Sequence, residues 1–146
     1  MDTLAAQDNQ TGQSAGSARR KILVVDDDPL MLRAIRGWLS ENYDVSVVTS
    51  AQTALAFLKK FVPDLILLDC EMPVTSGPQL FKILRDDAAT SAIPVIFLTG
   101  KDDNQTLTEI HALGADGCIL KTCRPDEINQ SIAAFFTADE RAQTKG

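Results

Sequence analysis

No apolar run in this 146-residue sequence approaches the ~20 residues that spanning a bilayer takes. Residues 1–20 also lack the apolar stretch of a secretory signal, so export by a signal peptide is not expected. Basic residues are in the minority, with 14 Lys and Arg against 20 Asp and Glu and a net charge of −6. Such a balance leaves no electrostatic footprint for direct nucleic-acid binding. Cysteines number only 3. An odd count without metal-type spacing fits a reducing cytoplasm better than a disulfide framework. What remains is ordinary globular material, 45% apolar and 23% charged, which excludes a wholly disordered chain.

The charge pattern divides the chain. In residues 1–20, Asp2 and Asp8 offset Arg19 and Arg20 in a polar, Gly/Ser/Gln-rich stretch that reads as a disordered N-terminal tail. Residues 137–146 are also neutral and read as a C-terminal tail or the start of a linker. The net negative charge therefore belongs to one foldable unit, residues 21–136.

Within that unit, apolar runs alternate five times with amphipathic segments. The runs are Lys21–Val25, Val45–Thr49, Leu65–Leu68, Ile93–Leu98 and Cys118–Leu120. Between them, stripes at helical spacing mark core-facing helices: Met31/Ile35/Trp38/Leu39, Ala54/Phe57/Leu58/Phe61, Leu80/Phe81/Leu84, Leu107/Ile110/Leu113 and Ile128/Ile132/Phe135/Phe136. Asp28 and Ser50 are suited to N-caps, Pro29, Pro78 and Pro125 to helix starts, and Gly114 to a helix end. Five β-α units with continuous apolar strands predict a parallel sheet covered on both faces. The expected fold is α/β: a doubly wound, flavodoxin-like sheet of five parallel strands in the order 2-1-3-4-5, with five helices.

In such a sheet ligands gather beyond the carboxyl ends of the strands. Here those ends carry Asp26-Asp27-Asp28, Asp69, Thr99 and Lys121. Carboxylates converging from two strands repel unless a cation compensates. A set made only of oxygen ligands suits a hard divalent ion such as Mg2+, and Lys121 is the only fixed cation expected at that edge, beside Lys101. The first turn has three acids where a phosphate cradle would need Gly or Ser/Thr, which argues against a flavin or nucleotide.

The acidic triplet of ILVVDDDP, the stretch DLILLDCEMPVTSG, PVIFLTG and the tripeptide ILK together resemble the receiver domain of two-component response regulators. The resemblance covers residues 21–136. It implies that Asp69 accepts a phosphoryl group from a phosphohistidine donor. It also implies that Asp26, Asp27 and Asp69 hold Mg2+ with the Glu71 main-chain carbonyl, that Thr99 bonds a phosphoryl oxygen and that Lys121 pairs with the phosphate. Asp28 is read as a helix cap. The partners it implies are a sensor histidine kinase or histidine phosphotransfer protein, and a downstream effector or output domain. The location it implies is the cytoplasm. The only enzymatic events expected are self-phosphorylation and slow autodephosphorylation.

Three positions depart from the family pattern. Cys118 stands where an aromatic residue is usual, Thr122 where proline follows the lysine, and Cys123 where another aromatic is usual. They motivate an alternative, a non-switching pseudo-receiver that serves as a binding scaffold. A stand-alone aspartyl-phosphate hydrolase would need a D-x-D-x-T element after the first strand, and Pro29-Leu30 follows the acids instead. The cysteines read as small, partly buried hydrophobes, and His111 as a solvated surface imidazole.

Overall fold

Lys21–Val25 forms strand β1, an interior strand of the sheet, in a computed structural model that describes residues 19–100 and 104–145. In chain order there follow α1 (Pro29–Leu39), β2 (Asp44–Val48), α2 (Ala51–Leu58), β3 (Leu65–Asp69), α3 (Gly77–Asp86), β4 (Val95–Thr99), α4 (Asn104–Ala112), β5 (Gly117–Leu120) and α5 (Pro125–Lys145). All neighbouring strands are parallel, in the order β2-β1-β3-β4-β5. This is the topology the alternating pattern predicts.

Side chains of a strand alternate between its two faces, and this builds two separate cores. Ile22 and Val24 of β1, with Leu65 and Leu67 of β3, pack against Leu32 and Ile35 of α1 and Ile128 and Ile132 of α5. Leu23, Val25, Ile66 and Leu68 face the other way, onto Ala54 of α2, Leu80 and Leu84 of α3, and Ile110 of α4. Caps fix where the helices begin. The Asp28 side chain accepts from Leu30 N–H at 3.0 Å with Pro29 next in line. Ser50 accepts from Thr53 N–H at 3.1 Å, and Ser76 and Gln79 cap each other reciprocally.

Two expected core residues lie elsewhere. Phe61 is 58% exposed, because α2 stops at Leu58, where the Lys60 and Phe61 N–H groups both close onto the Phe57 carbonyl ahead of Pro63. Leu107 is 37% exposed; α4 is short and buries only Ile110.

Both predicted segment boundaries also meet new facts. Arg19 donates to the carbonyls of Ser40 and Tyr43 and pairs with Asp44, while Arg20 lies 4.7 Å from the centre of the Phe136 ring. These two arginines clasp the end of α1 to α5. The rest of the expected N-terminal tail, residues 1–18, lies outside the described residues. At the other end, α5 stays helical to Lys145, well past the apolar stripe that stops at Phe136. Ala138, Glu140, Ala142 and Gln143 there are good helix formers.

Candidate functional site

Strand alternation delivers the site residues. Asp69 continues the series Leu65, Leu67; Asp26 continues Ile22, Val24; Lys121 continues Ile119. All three fall just past the apolar run, on the face covered by α1 and α5. Thr99 follows Val95 and Phe97 to the opposite face at the end of β4, one step beyond the partner of Asp69 in the register.

The acids converge as expected. Carboxylate oxygens of Asp26, Asp27 and Asp69 all lie within 4.8 Å of one another, with Asp26 and Asp69 buried and Asp27 exposed. Lys121 Nζ stands 2.9 Å from Asp26 Oδ2 and 3.0 Å from Asp69 Oδ1. It reaches both with Lys121 and Thr122 joined by a trans peptide bond. Thr122 in the usual proline position therefore leaves the lysine on target. The Lys121 N–H donates to the Thr99 carbonyl at 2.8 Å, and Cys123 N–H closes a turn onto Leu120 O at 3.0 Å. Those two bonds aim the lysine.

Main-chain donors orient the acids. Asp28 N–H donates to Asp26 Oδ1 at 3.0 Å, so Asp28 orients a cluster acid as well as capping α1. Glu71 comes to the site through its backbone, its N–H donating to Asp69 Oδ1 at 3.3 Å. Asp69 Oδ2 is buried and has no hydrogen-bond partner among the described residues. Asp26 Oδ2 has the ammonium at ion-pair distance but no well-formed hydrogen bond. Two buried, under-satisfied carboxylate oxygens in a three-acid cluster are the donor set a hard divalent cation takes, so the residues present fit such an ion. Lys101 lies outside the described residues.

The electrostatics follow from this crowding. Burial pushes the Asp69 carboxyl up from 3.8 to about 6; the Lys121 bond works against that rise and the Asp26 charge adds to it. Burial also works to lower the Lys121 value, but the two carboxylates against it prevail and hold it above the ordinary amine value. Burial pushes the neighbouring Cys70 thiol up to about 12 and raises Cys118 and Cys123 as well. Thiols so protonated are poor nucleophiles, in line with their packing against the two cores. His111 is exposed.

A pH dependence follows for the metal-free protein. Folded Asp69 holds its proton more tightly than the unfolded chain does. Its contribution to stability is thus complete below pH ~4 and is lost as pH rises through about 6. Asp69→Asn should remove that slope and leave the metal-free protein more stable at pH 7.5, by on the order of 2 kcal/mol. Urea denaturation at pH 4.5, 6 and 7.5 checks this; parallel curves for the two proteins would refute it.

The arrangement finds its match in known proteins. The family model for the response regulator receiver domain matches residues 22–133. The chain belongs to that family. Among its relatives, the DNA-binding response regulator MtrA of Mycolicibacterium smegmatis is 32% identical over 126 residues, 84% of this chain and 53% of MtrA. The transcriptional regulatory protein CrdR of Helicobacter pylori is 32% identical over 122 residues, 83% of this chain and 57% of CrdR. The chain therefore spans about half the length of these curated relatives. Among solved structures, the Vibrio cholerae chemotaxis protein CheY4 superposes with a TM-score of 0.75 at 27% identity, covering 81% of this chain and 99% of CheY4. The Francisella response regulator 1452 receiver domain gives 0.75 at 29% identity, covering 83% and 99%.

This receiver domain thus brings the carboxylates of Asp26, Asp27 and Asp69 into one cluster with the Lys121 ammonium. Val74 is a loop residue that sequence reasoning passed over, because a valine carries no signal of an unusual backbone. The Ser76–Gln79 cap did carry one, the S-x-x-Q spacing just ahead of an apolar stripe.

Proposed function

We propose that this receiver domain is phosphorylated on Asp69 by a phosphohistidine donor, with Mg2+ held by Asp26, Asp27, Asp69 and the Glu71 carbonyl. The observation that carries the reading is the asymmetry of the Asp69 carboxylate. Oδ1 is engaged by Lys121 Nζ and Glu71 N–H, whereas Oδ2 is buried without a partner. Oδ2 is then the nucleophile. It gives an electron pair to the phosphorus as the P–N bond breaks, and the imidazole of the donor keeps that bond's electrons. Bound Mg2+ supplies the charge neutralisation that lets an anion approach an anionic phosphoryl group. Lys121 remains against the site as the fixed cation for the product, and the Thr99 hydroxyl donates to a phosphoryl oxygen.

The acid cluster and the lysine against it support a switching receiver over a pseudo-receiver scaffold. The donor is a sensor histidine kinase or a histidine phosphotransfer protein, and the signal passes to a downstream effector or output domain. The chain acts on itself alone and loses its phosphate slowly to water. Three free cysteines support a cytoplasmic location.

Asp69→Asn should lower labelling by a phosphorylated histidine donor ~10³-fold or more, as loss of a covalent nucleophile does. Mass spectrometry of the intact chain reads the phosphoryl gain directly. Undiminished labelling of the variant would overturn the assignment.

A further inference from the structure

Between Cys70 and Gly77 the chain leaves β3 and returns to the same spot. Gly77 N–H donates to the Cys70 carbonyl at 3.1 Å, and Gly77 sits so close to the Asp69 carbonyl that a Cβ has no room. At the apex, Thr75 N–H donates to Pro73 O at 2.8 Å across Val74, whose φ is 69°. A three-residue turn with a positive central φ is the rare, strained form of γ-turn. A β-branched side chain makes that backbone a clear outlier, and Val74 is the only non-glycine residue at positive φ among those described. Its side chain is 100% exposed, so no packing of its own offsets the strain. The loop's two stems hold it there. Met72, 9% exposed, is set in the core beneath α3, and Gly77 is clamped to the end of β3. On the first stem, Glu71 N–H reaches Asp69 Oδ1 across a long 3.3 Å.

We infer that Val74 is a positioning residue for phosphoryl capture: its backbone strain holds the β3–α3 loop in a form that the charged site relaxes. The inference rests on Asp69 being the phosphoacceptor. A phosphoryl group on Oδ2 places new anionic oxygens beside the Glu71 main chain, the part of the loop already bonded to that carboxylate. Drawing Glu71 in shifts the first stem while Gly77 keeps the second in place. The turn at Val74 lies between the two stems and absorbs the change. Strain released there favours the charged state over the uncharged one. Glycine at this position has no strain to release. Alanine keeps the Cβ, and with it most of the strain, but loses the exposed isopropyl group.

The test compares wild type, Val74→Gly and Val74→Ala by calorimetric titration with beryllofluoride in the presence of Mg2+, alongside thermal melts of the ligand-free proteins. Val74→Gly should melt higher when free yet bind beryllofluoride about fivefold or more weakly. Val74→Ala should stay within about twofold of wild type. Equal affinity for wild type and Val74→Gly overturns the inference and leaves the phosphoacceptor reading intact. An equal loss in Val74→Ala overturns it too, since the side chain rather than the backbone would then be responsible. A wild-type protein that takes no beryllofluoride overturns the phosphoacceptor reading, and this inference with it.

Discussion

Gly77→Ala is expected to destabilise the fold by ~3 kcal/mol or more and to weaken capture at Asp69 at the same time. A methyl group on Gly77 falls inside the van der Waals shell of the Asp69 carbonyl oxygen, 2.9 Å from Cys70 Cα and 3.0 Å from the Asp69 carbonyl carbon. Each of these neighbours is backbone, so no rotamer change relieves the clash. The first turn of α3 must lift away from the end of β3, and the Gly77 N–H to Cys70 O bond lengthens or breaks. Lifting α3 also disturbs Leu80 and Phe81, which are fully or nearly buried against the sheet. Because the displaced carbonyl belongs to Asp69 itself, the proposed nucleophile moves with it. Urea denaturation and beryllofluoride titration should therefore fail together. Native stability in Gly77→Ala would mean that the two backbones are not in contact.

The second large effect is at Lys121. Lys121→Met leaves Asp26 and Asp69 buried without their cation, and breaking a buried pair from one side costs about 3–5 kcal/mol. Lys121 is 23% exposed, and Asp69 escapes part of the penalty by taking up a proton, so ~2 kcal/mol at pH 8 is the expected loss. The sign of the pH dependence follows. Lys121 lowers the Asp69 value, so its removal carries that value further above about 6. The stability that Asp69 contributes in its protonated form then survives to higher pH before it is lost. The gap between wild type and variant should shrink by pH 5 and widen towards pH 8, as read by denaturant midpoints. A pH-independent gap would show that the lysine acts through packing of its stem alone. Lys121→Arg should not restore capture, since a planar fork does not replace a point charge between two carboxylates.

Much of this was legible in the chain because strands write their faces in alternation. The bounds of β1 match the KILVV run, and the same alternation that buries Ile22 and Val24 carries Asp26 to the α1 side. Strand ends that fall on one face of a parallel sheet meet without any further information, so Asp26, Asp69 and Lys121 could be brought together from spacing alone. Where distant parts of the chain decide the outcome, the sequence pattern was silent. Arg85 donates to the Ile93 carbonyl at 2.8 Å and to Asp116 at 3.3 Å, and Asp116 also takes the Val95 N–H at 2.9 Å. That brace ties α3 to the starts of β4 and β5, and nothing local announces it. Phe61 misled for the opposite reason: its spacing fits the α2 stripe, but the helix ends before reaching it. Arg19 and Arg20 look like the end of a polar tail until Ser40, Tyr43 and Phe136 come up against them.

The placement of Lys121 has a bearing on the order in which the protein is made. A chain lengthening from its N-terminus can pair β2, β1 and β3 before residues 95–121 exist, and that half-sheet already sets Asp26 and Asp69 side by side. The ammonium that stands between them arrives only with the last strand. Until then the nascent sheet has two crowded acids at its rim with no fixed cation between them. Docking of β5 supplies the missing charge and adds Ile119 to the core that α1 and α5 cover. The side chain that balances the acid pair thus also ties completion of the sheet to completion of the site.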